Sequence, residues 1–165
     1  MFGGPRIVDL DEVEAREVVR IEFEDGRSAS IWERFLLPAP SMFTFYNKWD
    51  PGMISLRHGH QSDHVVYVLS GEVMVGDRLC KAGAHIYLVH GDRFGPWIAG
   101  PEGCELLGIL KGPGVAAFWS PEDMQEYIDL LAKHGARQGE VPPLKNTEPW
   151  MNPQAETLPS PIKGE

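Results

Sequence analysis

Three of the six histidines in the chain lie close together, at positions 58, 60 and 64, in the pattern HxHxxxH. Neutral imidazole nitrogens are common ligands for zinc, iron, nickel and copper ions. Residues two apart on a β-strand project from the same face, so the side chains of His58 and His60 are expected to point together. Ser62 and Asp63 favour a turn that can bring His64 opposite them on the next strand. The spacing therefore indicates a site for one divalent metal ion, although three partly exposed histidines beside a polar turn would show the same pattern.

The segments around these histidines have the alternation and the turn residues of an all-β protein. Apolar residues alternate from Glu17 onwards, and Asp25–Gly26 is a dipeptide typical of β-hairpin turns. The second strand is expected to end before Pro38 and Pro40. No helical crossover is visible before residue 120, so a barrel or a sandwich is expected rather than a parallel α/β sheet. Further strands are expected at residues 42–49, 53–58, 65–69, 72–75, 85–89 and 106–110.

A single helix is well signalled after the strands. Ser120 can cap its N-terminus, Pro121 suits the first helical position, and apolar residues then recur at helical spacing. Gly135 is a stop signal, and His134 can meet the last carbonyls of the helix. The chain beyond is rich in proline, and Trp150 is one possible docking point within it. The expected organisation is a lead-in at 1–16, a barrel at 17–118, the helix at 119–136 and an extended or disordered tail at 137–165.

Charge and composition exclude several classes of function. The chain has 15 basic and 24 acidic residues, a formal net charge of −9, so binding to nucleic acid or to an anionic membrane surface is not expected. No apolar run has the length of about 20 residues that a membrane span needs, and the N-terminus lacks the pattern of a secretory signal. Cys80 and Cys104 have no CxxC partner, so we expect two buried thiols and a cytoplasmic location.

The stretch PGMISLRHGHQSDHVVYVLSGEVMVG resembles the first signature of the cupin superfamily. That signature is a glycine, five residues, His-x-His, three residues, Glu, six residues and a glycine. Gly52, His58, His60 and Gly71 match it in register, and His64 stands where the family usually has Glu. The resemblance implies an all-β fold, a cupin-type jelly-roll β-barrel, here with one C-terminal helix and an extended Pro-rich tail.

The second cupin signature is largely absent. It is a glycine, five residues, Pro-x-Gly, two residues, His, three residues and Asn, and it maps onto positions 83–98. Gly83 and Gly91 are retained, whereas Phe94 replaces the histidine and Val89 and Ile98 replace the proline and the asparagine. The resemblance therefore implies a metal bound by His58, His60 and His64 alone. His90 lies in this turn and is a weak candidate for a fourth ligand or an acid/base, the alternative being a solvated turn residue.

Such a ligand set indicates a particular chemistry. Three neutral imidazoles leave the full double charge on the ion, which favours an anionic or chelating small molecule such as an enolised diketone, an α-hydroxy ketone or a catecholate. Two or three coordination positions stay open, as in catalytic sites. With Fe²⁺, the favoured ion, the resemblance implies a three-histidine non-haem dioxygenase. Zn²⁺ or Ni²⁺ would imply a lyase, cyclase or isomerase. A non-catalytic binding module and a metal-free isomerase are the alternatives, and a homodimer is expected by analogy.

Aromatic side chains are candidates for the lining of a substrate pocket, although each is also an ordinary core residue. Tyr46 is in addition a weak catalytic candidate, and Tyr87 and Arg57 are possible polar anchors. Alternation places Arg57 on the face opposite His58. His85 has no defined facing in the sequence and is interpreted as structural. The aromatic candidates are Phe43, Phe45, Tyr46, Trp49, Phe94 and Trp97.

Overall fold

Twelve β-strands and one α-helix make up the part of the chain that is described. The structure, a computed structural model, describes residues 4–112 and 116–142. A short 3₁₀-helix at Leu10–Glu12 precedes the first strand. The strands are β1 (Arg16–Phe23), β2 (Ser28–Ala39), β3 (Met42–Trp49), β4 (Ile54–Ser55), β5 (His58–His60), β6 (His64–Val75), β7 (Arg78–Lys81), β8 (His85–Leu88), β9 (Arg93–Phe94), β10 (Trp97–Lys111), β11 (Ala117–Phe118) and β12 (Ala136–Gln138), and helix α1 spans Pro121–Lys133.

The strands form two antiparallel sheets. The main sheet has the order β12-β1-β2-β3-β10-β6-β7, with β4 paired to β10 and β8 paired to β6. The small sheet has the order β11-β5-β9. The all-β class with one C-terminal helix, expected from the alternation and the cap residues, is confirmed. No helix among residues 4–112 and 116–142 is long and apolar enough to cross a membrane.

The hairpin between β1 and β2 follows its sequence signal, but β2 is longer than expected. Ile21 lies opposite Ala29, and both are buried. The strand does not stop before Pro38, which lies opposite Phe43 of β3. The pairing of β2 with β1 ends at Glu33, so the later part of β2 pairs along one side only among residues 4–112 and 116–142. A proline without an N–H is tolerated there because that side of the strand has no ladder to complete.

Strand β6 is continuous where the sequence indicated two strands with a turn at Ser70–Gly71. Gly71 has a φ of 67°, and the register between β6 and β10 shifts beside it. A side chain at this position would lie 2.1 Å from the carbonyl oxygen of Gly103. The glycine therefore allows a bulge and a close approach of two backbones, which bends the strand instead of ending it.

Helix α1 begins as its sequence predicts. The Ser120 hydroxyl accepts a hydrogen bond from the Asp123 N–H at 3.2 Å, and the Asp123 carboxylate accepts one from the Ser120 N–H at 2.7 Å. This reciprocal arrangement is a capping box. Beyond the helix, β12 pairs with β1 where the sequence indicated the start of an extended tail at residue 137. Trp150 and the rest of the tail from residue 143 lie outside the described residues.

The apolar side chains form two clusters. The open cluster consists of buried Phe43 and Leu110 with Phe35 and Phe45 packed against them, the latter two keeping accessible surface. The closed cluster is larger, and helix α1 contributes to it. Its buried members are Ile21, Ala29, Ile31, Trp49, Met53, Ile54, Val66, Val68, Val73, Cys80, Leu88, Trp97, Ala99, Cys104, Leu106, Tyr127 and Leu131.

Candidate metal centre

His58 and His60 stand at the two ends of β5, the middle strand of the small sheet. His58 lies opposite Phe94 of β9, and His60 lies opposite Ala117 of β11. Gly59 separates the two histidines, and a side chain there would come within 2.2 Å of the Asp92 carbonyl oxygen. Only glycine fits this contact, so the strand can lie close against the turn before β9 while both imidazoles project from one face.

His64 is the first residue of β6 and is only 5% exposed. A turn of three residues carries the chain to it from β5. Within this turn the buried Ser62 hydroxyl donates to the Lys111 carbonyl, and the Lys111 N–H donates to the Asp63 carbonyl at 3.1 Å. These contacts fix the turn against the end of β10, so the position of His64 relative to β5 is set by the backbone.

The structure brings the three histidine rings together. The ring centroids are 5.3 Å apart for His58 and His60 and 4.9 Å apart for His60 and His64, with interplanar angles of 82° and 83°. A nitrogen that binds an ion at about 2.1 Å places the ion about 3.2 Å from the ring centre. Two rings that share an ion at angles of 90–109° then have centres about 4.5–5.2 Å apart. The observed spacings fit such sharing.

Two backbone carbonyls orient the imidazoles. The Nδ1 atom of His58 lies 2.9 Å from the Leu56 oxygen, and the Nδ1 atom of His64 lies 2.9 Å from the Ser62 oxygen. When Nδ1 donates its proton to a carbonyl, the lone pair of Nε2 is available to a metal ion. Desolvation by burial lowers the pKa of His58 and of His64, against the opposing effect of these carbonyls. Both rings are therefore favoured in the neutral form that binds metals.

The nitrogens do not yet converge. Among residues 4–112 and 116–142, no group of three or more His, Cys, Asp or Glu side chains is placed to hold one metal ion. The rings have the spacing of a metal site, and the donor set of three imidazoles suits a transition metal. Rotation about the Cβ–Cγ bond of an imidazole is a soft torsion. Convergence on an ion would therefore require rotation of these side chains.

His90 lies in the turn beside this cluster. Its backbone N–H donates to the Asp63 carboxylate at 3.0 Å, and the next N–H, that of Gly91, donates to the His60 carbonyl at 3.0 Å. The His90 side chain is exposed. The backbone of this turn therefore holds the β5–β6 segment that carries the histidines, while the His90 imidazole lies at the protein surface.

Tyr46 lies on the outer face of the main sheet, opposite to the face that carries the apolar clusters. Phe45 and Asn47, its neighbours on β3, point inward, whereas Tyr46 lines an outer groove together with Trp32, Arg34 and Glu105. Desolvation, followed by a hydrogen bond with Glu105, raises the pKa of Tyr46 to about 12. The structure thus places this candidate away from the histidines, because alternation along β3 sends it outward.

The remaining candidates are distributed between the surface and the core. Arg57 points away from His58, as expected, and donates to Glu126 of helix α1 at 3.1 Å. Tyr87 and His85 are exposed on β8. Trp49 and Trp97 are buried in the closed cluster with ring centroids 6.3 Å apart, and Phe94 is half-buried opposite His58.

Two inward-facing residues did not emerge from the sequence as site candidates. Glu33 of β2 lies opposite Asn47 of β3, and the two side chains are hydrogen-bonded. Desolvation raises the pKa of Glu33 from 4.5 to about 7, against the hydrogen bond from Asn47 and the charge of Arg16. A signal was present, since Glu33 continues the buried alternation of Ala29 and Ile31. A carboxylate in that position of a strand is expensive to bury and therefore informative.

The comparisons with known proteins find similarity only among solved structures. No protein-family model matches the chain, and no curated protein matches its sequence. The polyketide cyclase RemF from Streptomyces resistomycificus aligns over 76% of this chain and 94% of its own, with 21% identity and a TM-score of 0.58. An RmlC-like cupin from Shewanella frigidimarina covers 73% and 96%, with 17% identity and a TM-score of 0.53.

A predicted oxalate decarboxylase from Thermotoga maritima also aligns, over 65% of this chain and 99% of its own, with 16% identity and a TM-score of 0.50. At such identities the likeness concerns the fold. The chain has the cupin fold, an all-β jelly roll, as the resemblance of its first signature predicted.

Proposed function

We propose that this protein of the cupin fold is a metal-dependent enzyme whose divalent ion is bound by His58, His60 and His64. Its substrate is a small anionic or chelating carbonyl or phenolic compound. The observation that carries the proposal is the clustering of the three imidazole rings, with centroids 5.3 Å and 4.9 Å apart. Two of these rings are oriented by backbone carbonyls in the tautomer that metal ions need.

The charge of this ligand set supports a chelating substrate. Three neutral imidazoles do not reduce the double charge of the ion, and the nearby Asp63 carboxylate accepts a hydrogen bond from the His90 backbone. An anionic oxygen pair on the substrate would supply the missing negative charge. With Fe²⁺, which we favour, the bound metal supplies reactivity toward molecular oxygen, so the proposed reaction is a dioxygenation.

The residues around the histidines have defined tasks in this proposal. The carbonyls of Leu56 and Ser62 hold the proton on Nδ1, which leaves the lone pair of Nε2 available to the ion. The open cluster continues the His64 row across the sheet, because His64 pairs with Leu110 and Leu110 pairs with Phe43. Its accessible side chains, Phe35 and Phe45, offer an apolar surface that binds an aromatic body and excludes water.

A second candidate is a zinc-dependent cyclase. The likeness to the polyketide cyclase RemF, at a TM-score of 0.58 over 94% of that chain, favours it. A zinc ion bound by three histidines would lower the pKa of a water molecule in its fourth position to about 7, which suits addition and cyclisation chemistry. The two candidates share the same ligands and differ in the ion.

Elemental analysis of protein purified without an affinity tag tests the proposal. We expect nearly one metal ion per chain in the wild type and its loss in His58→Ala. The matched control is His85→Ala, which removes an exposed histidine on β8 and should keep the metal. Iron would direct the next assays to oxygen uptake with diketones and catechols, and zinc or nickel would direct them to cyclisation or elimination. A wild type without metal, or a His58→Ala variant that keeps it, contradicts the proposal.

A further inference from the structure

The three histidines of the candidate metal centre come from two different sheets. His58 and His60 lie on β5 of the small sheet, whereas His64 begins β6 of the main sheet. The turn before His64 is fixed by its contacts with the end of β10. The distance of 4.9 Å between the rings of His60 and His64 therefore depends on how the small sheet is held against the main sheet.

The small sheet has few backbone contacts of its own. Strand β5 has three residues, and its neighbours β9 and β11 have two each. Each neighbour pairs with β5 at two positions. Such short strands are marginally stable unless another element packs against them. The position of β5 therefore depends on side-chain contacts in addition to its backbone pairing.

Asp123 of helix α1 links two parts of the small sheet. Arg93 of β9 donates to one oxygen of the Asp123 carboxylate, and Nε of Arg57 lies 3.7 Å from the other oxygen. Arg93 lies opposite Gly59 of β5, and Arg57 immediately precedes His58. The Asp123 side chain is 6% exposed, so one buried carboxylate holds both arginines.

The Asp123 carboxylate is favoured in its ionised form. Desolvation by burial raises its pKa, but hydrogen bonds from Ser120 and Arg93, together with the charge of Arg93, outweigh this effect and lower the pKa. The carboxylate accepts the Ser120 backbone N–H at 2.7 Å. Charge-assisted hydrogen bonds of this kind are stronger and better defined in geometry than neutral ones.

Helix α1 connects this link to the core of the protein. Asp123, Tyr127 and Leu131 are the buried residues of the helix, and their spacing of four places them on one face. Tyr127 and Leu131 are each 2% exposed and belong to the closed cluster. The later turns of the helix are therefore anchored in the core, while its first turn holds the small sheet.

We infer that Asp123 is a positioning residue of the metal centre. Through Arg57 and Arg93, it holds β5 at the distance from β6 at which the three histidines can share an ion. This inference rests on the proposed function. Asp123 acts through the two arginines and not by contact with the ion, so its effect lies in the affinity and the geometry of the metal site.

Titration of the metal-depleted protein with Co²⁺ tests this role, because the visible absorption of the ion reports the geometry of its ligands. Asp123→Asn keeps the size of the side chain and an oxygen for the Ser120 N–H, but it removes the charge that both arginines bind. It should weaken Co²⁺ binding about tenfold, the lower end of the effect of groups that orient metal ligands, and change the absorption bands. Asp123→Glu restores the charge and should recover most of the affinity.

Two controls separate positioning from general effects of the helix. Ser120→Ala removes the cap hydroxyl but keeps the backbone N–H and both arginine contacts, so it should destabilise the helix without changing Co²⁺ affinity or spectrum. Asp129→Asn removes a charge from the exposed side of the same helix and should also leave both unchanged. A loss in either control equal to that in Asp123→Asn would overturn the positioning role.

A second variant applies where thermal melting shows that Asp123→Asn does not fold. Arg57→Gln, at a side chain that is 35% exposed, breaks the same link beside β5 and should weaken Co²⁺ binding in the same direction. Wild-type affinity and an unchanged spectrum in the folded variant overturn the positioning role and leave the metal centre standing. A wild type that binds no Co²⁺ overturns the proposed function as well.

Discussion

The closed cluster and the open cluster are built from the same kinds of side chain but differ in what covers them. In the closed cluster, Met53, Ile54 and Val68 are at most 1% exposed, and Tyr127 of helix α1 packs against the same core. In the open cluster, Phe35 and Phe45 keep accessible surface, and the Phe45 ring packs directly on the backbone of Gly108. Among the described residues, then, the two clusters differ in the second layer packed over their apolar side chains rather than in the side chains themselves.

The largest expected effect of a substitution separates the two clusters by stability. Ile54→Ala removes a fully buried side chain from the closed cluster and should lower the free energy of unfolding by about 3–4 kcal/mol. Phe45→Ala removes a larger side chain that is only partly buried, and we expect a loss of about 1–2 kcal/mol. Urea unfolding followed by fluorescence measures both. An equal or larger loss at Phe45 would mean that the open cluster is an ordinary core and not a pocket.

Glu33 lies on β2 between Ile31 of the closed cluster and Phe35 of the open cluster, and this boundary between the clusters should respond to pH. The pKa of Glu33 is raised from 4.5 to about 7 in the folded protein. A carboxyl whose pKa is raised by folding contributes stability below pH 4.5, and that contribution is lost as the pH rises through about 7. The wild type should therefore lose on the order of 2 kcal/mol more than Glu33→Gln over this range, after allowance for its partial exposure.

Urea unfolding of both proteins at several pH values between about 4.5 and 8 provides the measurement. Glu24→Gln serves as the control, since the Glu24 side chain is exposed. Parallel pH profiles for the wild type and Glu33→Gln would show that the carboxyl is solvated in the folded protein. Water would then have access to the boundary between the clusters.

The smallest expected effect concerns the cover of the closed cluster. Ser120→Ala removes the hydroxyl that accepts the Asp123 N–H and should destabilise the protein by about 1 kcal/mol. The helix packs on the closed cluster through Tyr127 and Leu131. In Ser120→Ala, the amides of helix α1 should therefore be the first to exchange faster. Hydrogen exchange is the measurement, and faster exchange in β5 than in α1 would contradict this assignment of the helix to the closed cluster.

Local signals in the sequence predict much of the fold. The β1–β2 hairpin follows from alternation and Asp25–Gly26, and the start of α1 follows from Ser120 and Pro121. The errors arise where pairing decides the outcome. Gly71 has the appearance of a turn residue, yet it forms a bulge because β10 runs alongside and continues the ladder. The strand β12 has no local signal, since its only reason to be extended is the available edge of β1.

The site divides in the same way between local and long-range causes. The pattern of His58, His60 and His64 predicts their proximity because one short turn connects the two strands. The Glu33–Asn47 pair depends on the register between β2 and β3, and that register shifts at a bulge beyond Phe35. A register of this kind is set by cross-strand packing and is invisible in either strand alone.

The pairing of β12 with β1 also affects how the protein behaves toward copies of itself. Residues Ala136–Gln138 pair with Ile21–Phe23 of β1. Without this pairing, the backbone groups of β1 would form an edge strand to which another extended chain could add. The added strand is only three residues long, and its exposed Arg137 is paired with Glu22. A short, charged rim of this kind is a poor template for further strand addition. Pairing by these three residues thus disfavours edge-to-edge association between copies of the protein, an effect that does not depend on ligand binding.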